Sequence, residues 1–153
     1  MPAAARDDSR PAPLGVVPLP LPGGGVGHVS GGPFEACPPG AFGLCLEPRA
    51  ANAGQAALLL PIPDFGLPPE PAALPPVLGR LLAALAAGQA VHIGCRAGLG
   101  RTGMVLACLA RRCGVAEDPV AWVRRHYHPG AIETPAQENF ARHAPVGGEA
   151  AHG

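Results

Sequence analysis

The sequence predicts a three-layer α/β domain in which a central, mostly parallel sheet is flanked by helices. Three short apolar runs, "FGLCLEP", "AALLLPIP" and "QAVHIGC", have the length of buried strands and are bounded by turn formers. Segments with apolar residues at helical spacing lie between and after them. Late in the chain the order becomes strand, helix, strand, helix, helix, helix, which puts helices over parallel strands.

Residues 1–13 are polar and punctuated by proline, and 144–153 are similar, so both ends are expected to be disordered tails around one domain at 14–143. In "LGVVPLPLPGGGVGHVSG" the prolines confine the chain to an edge strand or hairpin turning at Gly23 to Gly25. "LPPVLGRLLAALAAG" starts on proline, repeats leucine at helical spacing and stops at Gly88. "TGMVLACLARRCG" is a second helix, with Arg111 and Arg112 in its last turn. Asp118 before Pro119 reads as the cap of a third helix, and Thr134, Pro135 and Gln137 as a capping box for a fourth, "PAQENFARH".

At 153 residues and 48% apolar content the chain can bury one modest core. Net charge is zero, and all 11 basic residues are arginines without a basic stripe, so nucleic acid is not an expected partner. The most apolar run, Val77 to Ala87, contains Gly79 and Arg80 and is too short for a bilayer. No apolar leader follows the N-terminus. A cytoplasmic protein with no membrane partner is expected. Five cysteines, an odd number without metal-ligand spacing, point to neither a disulfide framework nor a zinc site, and no cofactor is implied.

"HIGCRAGLGRTG", residues 92–103, joins a strand ending at Cys95 to a helix expected to begin at Thr102. A tight loop at a helix N-terminus is an anion site: backbone N–H groups converge, and the helix dipole presents its positive end. Gly98 and Gly100 permit the backbone angles this needs, and Arg101 offers a planar fork to two oxygens. The same field favours thiolate over thiol at Cys95. In so glycine-rich a chain the competing interpretation is an ordinary turn.

Cys95 to Thr102 resembles the signature loop of the cysteine-based protein tyrosine and dual-specificity phosphatases. "PIPDFGLPP", from Pro61 to Pro69, resembles their mobile acid loop and aligns its aspartate with Asp64. "HPGAIETPAQENF" is similar to the segment after the signature helix in small relatives of the cyclin-dependent-kinase-associated phosphatase. The resemblance spans roughly residues 14–143 and implies a dual-specificity-phosphatase-like fold. It implies Cys95, Asp64 and Arg101 as catalytic residues, and Arg96, Ala97, Gly98, Leu99, Gly100, Arg101 and Thr102 as the phosphate-binding loop. The substrate would be a phosphorylated protein or a small phosphomonoester.

The chemistry supports the same assignment. The leaving group needs a proton donor on a segment facing the nucleophile. Of four aspartates, Asp7 and Asp8 lie in the tail and Asp118 is explained as a cap, leaving Asp64, whose alternative is a turn residue after proline. Thr102 either donates to the cysteine sulfur or simply opens a helix. Gln137 either positions a water or serves the capping box. The sequence departs from the pattern at Gly94, where the family usually has histidine, and His92 is expected to be a half-buried strand residue rather than a substitute. Cys108 and Cys113 are expected to be small apolar packing residues. The expected function is hydrolysis of phosphotyrosine, with or without phosphoserine and phosphothreonine, through phosphocysteine. Alternatives are an inositol polyphosphate or phosphoinositide phosphatase and a catalytically weak phosphate-binding module.

Overall fold

The computed structural model describes residues 11–148. Its sheet has five strands, β1 (Gly15–Pro20), β2 (Val26–Pro33), β3 (Phe42–Cys45), β4 (Leu58–Leu59) and β5 (Val91–Cys95), in the order β1-β2-β5-β3-β4. β1 and β2 form the antiparallel hairpin expected from the Pro-rich segment, with β1 at the edge. The other neighbours pair in parallel. β5 lies between β2 and β3 with every residue buried, which is why its sequence is almost continuously apolar.

Four helices follow: α1 (Leu74–Ala86), α2 (Gly100–Arg112), α3 (Pro119–His126) and α4 (Pro135–His143). In α1 the buried residues Leu74, Leu78, Leu81 and Leu85 form one stripe. α2 is buried from Gly100 to Ala110, so both its sheet side and its α3/α4 side read as apolar. Leu85 of α1 lies against Gly27, and Tyr127, just past α3, lies against Gly31, two positions of one parity on β2. α1 and Tyr127 therefore share a face, and Arg112 at the end of α2 reaches back to the Pro75 carbonyl at the start of α1. On the opposite face the covering layer is thin, a 3-10 turn at Phe34–Ala36 whose Phe34 packs over Gly43 and Gly94.

Several elements differ from expectation. "AALLLPIP" pairs as a strand only at Leu58–Leu59, because Pro61 and Pro63 have no N–H to give; Leu60 and Ile62 still donate to the Cys45 and Leu46 carbonyls. α2 begins at Gly100, with the Gly103 N–H already bonded to the Leu99 carbonyl, so Arg101 and Thr102 sit inside its first turn. His92 is fully buried rather than half-buried, since Ser30 and the Pro33 carbonyl satisfy both ring nitrogens. Of the two expected tails, 1–10 and 149–153 lie outside the described residues, whereas Ala144 is buried and the Val146 carbonyl accepts from Arg112.

Candidate active site

Cys95 ends β5 at the carboxyl edge of the sheet, where α/β folds place ligands. Residues 96–99 then turn into α2. Gly98 adopts φ +85° and rests directly on Gly32 of β2, leaving no space for a Cβ. This conformation turns the Gly98 N–H onto the Cys95 sulfur at 3.2 Å, and the Thr102 hydroxyl donates to the same sulfur at 3.1 Å. Two donors aimed at one sulfur stabilise a negative charge there.

Arg101 extends from the first turn of α2 across the carboxyl ends of β3 and β4. Its side chain is 2% exposed; Nη1 donates to the Ile62 carbonyl at 2.6 Å and to Glu47 Oε1 at 3.2 Å, while Nη2 pairs with Asp64 Oδ1 at 3.5 Å. Its Nε is buried without a partner among the described residues. An unsatisfied buried donor on a guanidinium is costly, and an anion in the adjoining cleft would satisfy it. Glu47 is itself buried, and its carboxyl is held below the usual glutamate range chiefly by the Arg49 N–H, with Arg101 adding to the effect against the cost of burial.

The cleft has a volume of about 330 Å³ and is lined by Cys95, Arg96, Ala97, Gly100 and Arg101, by Glu133, whose carboxylate lies against Gly100, and by Asp64 and Phe65. Asp64 thus faces the loop from a separate segment, as a proton donor must. Phe65 beside it takes φ +60° and is 62% exposed at the cleft wall. Gly98 and Thr102 direct their donors onto the Cys95 sulfur, and the Leu99 carbonyl accepts the Ile132 N–H at 3.1 Å. Arg96 is exposed and also borders a depression with Glu35, Glu47 and Arg49.

Gln137 is fully buried and its amide has two protein partners: Oε1 accepts the Glu133 N–H at 2.9 Å and Nε2 donates to the Gly66 carbonyl at 3.3 Å. The capping box is therefore modified. Thr134 does accept the Gln137 N–H, but Gln137 reaches Glu133 rather than the Thr134 N–H, and its other end ties α4 to the acid loop.

Gly94 has a steric explanation. A Cβ there would lie 2.5 Å from Phe34 Cα and 2.7 Å from Phe34 N, so the 3-10 turn passes where a histidine would stand. His92, held by Ser30 and Pro33 and pushed toward its neutral form by burial, lies away from the sulfur's donors. Burial also raises the Cys108 thiol to about 12 and the Cys113 thiol to about 11.

A family model described as "Polymorphic toxin system, DSP-PTPase phosphatase" matches residues 46–115, which include Asp64, Cys95 and Arg101. The solved structure of Tk-PTP in its active form is 26% identical, with TM-score 0.58 over 73% of this chain and 86% of that one. The matched segment carries a dual-specificity phosphatase domain model, and the chain has the fold of those phosphatases. Two further solved structures share its fold. Kinase associated phosphatase, with its catalytic cysteine replaced by serine, has TM-score 0.62 at 20% identity, covering 85% of this chain and 93% of that chain. Human DUSP28 has TM-score 0.57 at 21% identity, covering 74% and 90%. An uncharacterized protein of Methanocaldococcus jannaschii is 39% identical over 84 residues, 54% of this chain and 55% of that protein. The chain spans about half the length of the curated relative it matches.

Three residues of the site carry no signal in the linear sequence. Glu47 follows the β3 run as one more loop residue, Glu133 stands in a segment otherwise read only for its cap, and Tyr127 reads as the fraying end of α3. Each reaches the loop or the cleft only through packing.

Proposed function

We propose that the chain is a cysteine-dependent phosphatase acting on phosphotyrosine. The observation that carries this is one cleft holding a sulfur under two donors, a buried arginine with an unsatisfied Nε, and a carboxylic acid on the facing loop. Cys95 attacks phosphorus in line while Asp64 protonates the leaving oxygen. Asp64 then takes a proton from the water that hydrolyses phosphocysteine. Arg101 and the loop N–H groups stabilise the equatorial oxygens in both steps, and Thr102 stabilises the sulfur as it leaves. Gln137 holds the acid loop by its Gly66 contact rather than positioning the water. The cytoplasm, which keeps thiols reduced, suits such a nucleophile, and none of the described helices is long and apolar enough to cross a membrane.

Asp64→Ala is expected to lower kcat by roughly 10² to 10⁴ for alkyl or unactivated aryl phosphates, and much less for p-nitrophenyl phosphate, whose leaving group needs no proton. Equal losses on both substrates would remove Asp64 from the acid role.

The substrate is expected to carry one phosphate. Arg96 is a cation beside Arg101 at the cleft, while Asp64 and Glu133 add negative charge to its lining. A neighbouring like charge at about 4 Å costs about 1 to 4 kcal/mol, depending on the effective dielectric. Phe65 offers an aromatic surface to a tyrosine ring. The inositol polyphosphate alternative rests on Arg96, which is exposed and positioned to meet a second phosphate. The deciding experiment compares kcat/KM for a phosphotyrosine peptide, a phosphothreonine peptide and an inositol polyphosphate at one ionic strength. The phosphotyrosine peptide is expected to lead; a tenfold advantage for the inositol compound would overturn the protein-phosphatase assignment.

A further inference from the structure

Tyr127 is the single tyrosine of the chain and is 7% exposed. Its N–H bonds to the Val123 carbonyl at 2.8 Å, fixing it at the end of α3, and its hydroxyl donates to the Gly98 carbonyl at 2.6 Å. The ring occupies a slot shaped for it: a Cβ at Gly31 would lie 2.7 Å from its Cε1, Cζ and Oη atoms, and one at Gly15 3.1 Å from Cδ1. Phenylalanine would fill that slot equally well. A buried hydroxyl is costly unless bonded, so the bond to Gly98 is what the oxygen adds.

The geometry points to Tyr127 as a positioning residue for the phosphate loop, holding the Gly98–Leu99 peptide so that the Leu99 N–H faces the bound anion. In a trans peptide the C=O and N–H point in opposite directions. Tying the Gly98 carbonyl to a hydroxyl beneath the loop turns the next N–H toward its mouth. The same anchor steadies Gly98, whose own N–H reaches the Cys95 sulfur. Burial and the proximity of Cys95 both raise the tyrosine's pKa, so the hydroxyl keeps its proton and remains a donor. The inference rests on the phosphatase assignment, because it concerns how that same loop is held.

Tyr127→Phe keeps the ring and removes the donor. Its kcat/KM on a phosphotyrosine peptide is expected to fall about tenfold and its inhibition constant for vanadate to rise by a similar factor, the effect of one hydrogen bond. A packing role alone would move the unfolding midpoint and leave vanadate inhibition where it was. Because Tyr127 is the only tyrosine, biosynthetic 3-fluorotyrosine labels this position alone and retains the donor. Its fluorine resonance is expected to shift on saturation with vanadate, with kcat/KM within twofold of the unlabelled protein. This second measurement stands if the Phe variant fails to fold. Wild-type vanadate inhibition and turnover in the Phe variant, or a fluorine line unmoved by vanadate, overturns the inference and leaves the phosphatase assignment intact. A wild-type protein with no turnover of any phosphomonoester overturns both.

Discussion

Cys95→Ser is expected to abolish turnover, with kcat reduced about 10⁴-fold or more, while phosphotyrosine peptide still binds. The serine hydroxyl is not ionised in this field, so no nucleophile meets phosphorus. Binding persists because its determinants lie elsewhere: the loop N–H groups, the α2 N-terminus and Arg101 are untouched. Affinity is therefore expected to hold. Calorimetry with a phosphotyrosine peptide, run beside a phosphate-release assay, separates the two effects. Loss of binding together with turnover would mean that the substitution had disrupted the loop rather than the chemistry.

Arg101→Ala should be as severe for catalysis and worse for the fold. In the proposed mechanism the guanidinium supplies planar, charge-assisted donors to the equatorial oxygens, and loss of such a group from a phosphoryl-transfer site costs roughly 10³ to 10⁵ in rate. It also joins the Ile62 carbonyl to Glu47, and Glu47 is only 6% exposed. Truncation leaves that carboxylate buried with the Arg49 N–H and guanidinium as its remaining partners. Both kcat/KM and the urea midpoint are therefore expected to fall. Arg101→Lys separates the contributions, because it restores a charge near Glu47 but not the fork. Its stability should recover more than its activity does.

The parts of the molecule legible in sequence are those built from neighbouring residues. The β1–β2 hairpin follows from prolines and glycines in one stretch, α1 from its leucine spacing, and the caps of α3 and α4 from Asp118 and Thr134. The anion loop is legible for the same reason, since strand, glycines, arginine and helix are contiguous. What escaped depends on distant segments meeting. Glu47 lies 54 residues before Arg101 and Tyr127 lies 29 residues after Gly98, and nothing in the intervening sequence ties either pair. Gly94 showed as a departure from a pattern, but its cause, the passage of Phe34 against it, belongs to the turn after β2. A histidine in an apolar strand reads as partly solvated until both its partners, Ser30 and Pro33, are known.

The central claim is that Cys95 is the nucleophile. Its most direct test is a rapid quench in denaturing detergent during turnover of a radiolabelled phosphotyrosine peptide, followed by mapping of the labelled protein fragment at alkaline pH. A phosphoryl group is expected on the fragment containing Cys95, stable to alkali, lost in mild acid and absent from the Cys95→Ser protein. Label on any other residue, or steady phosphate release by Cys95→Ser at the wild-type rate, would contradict it.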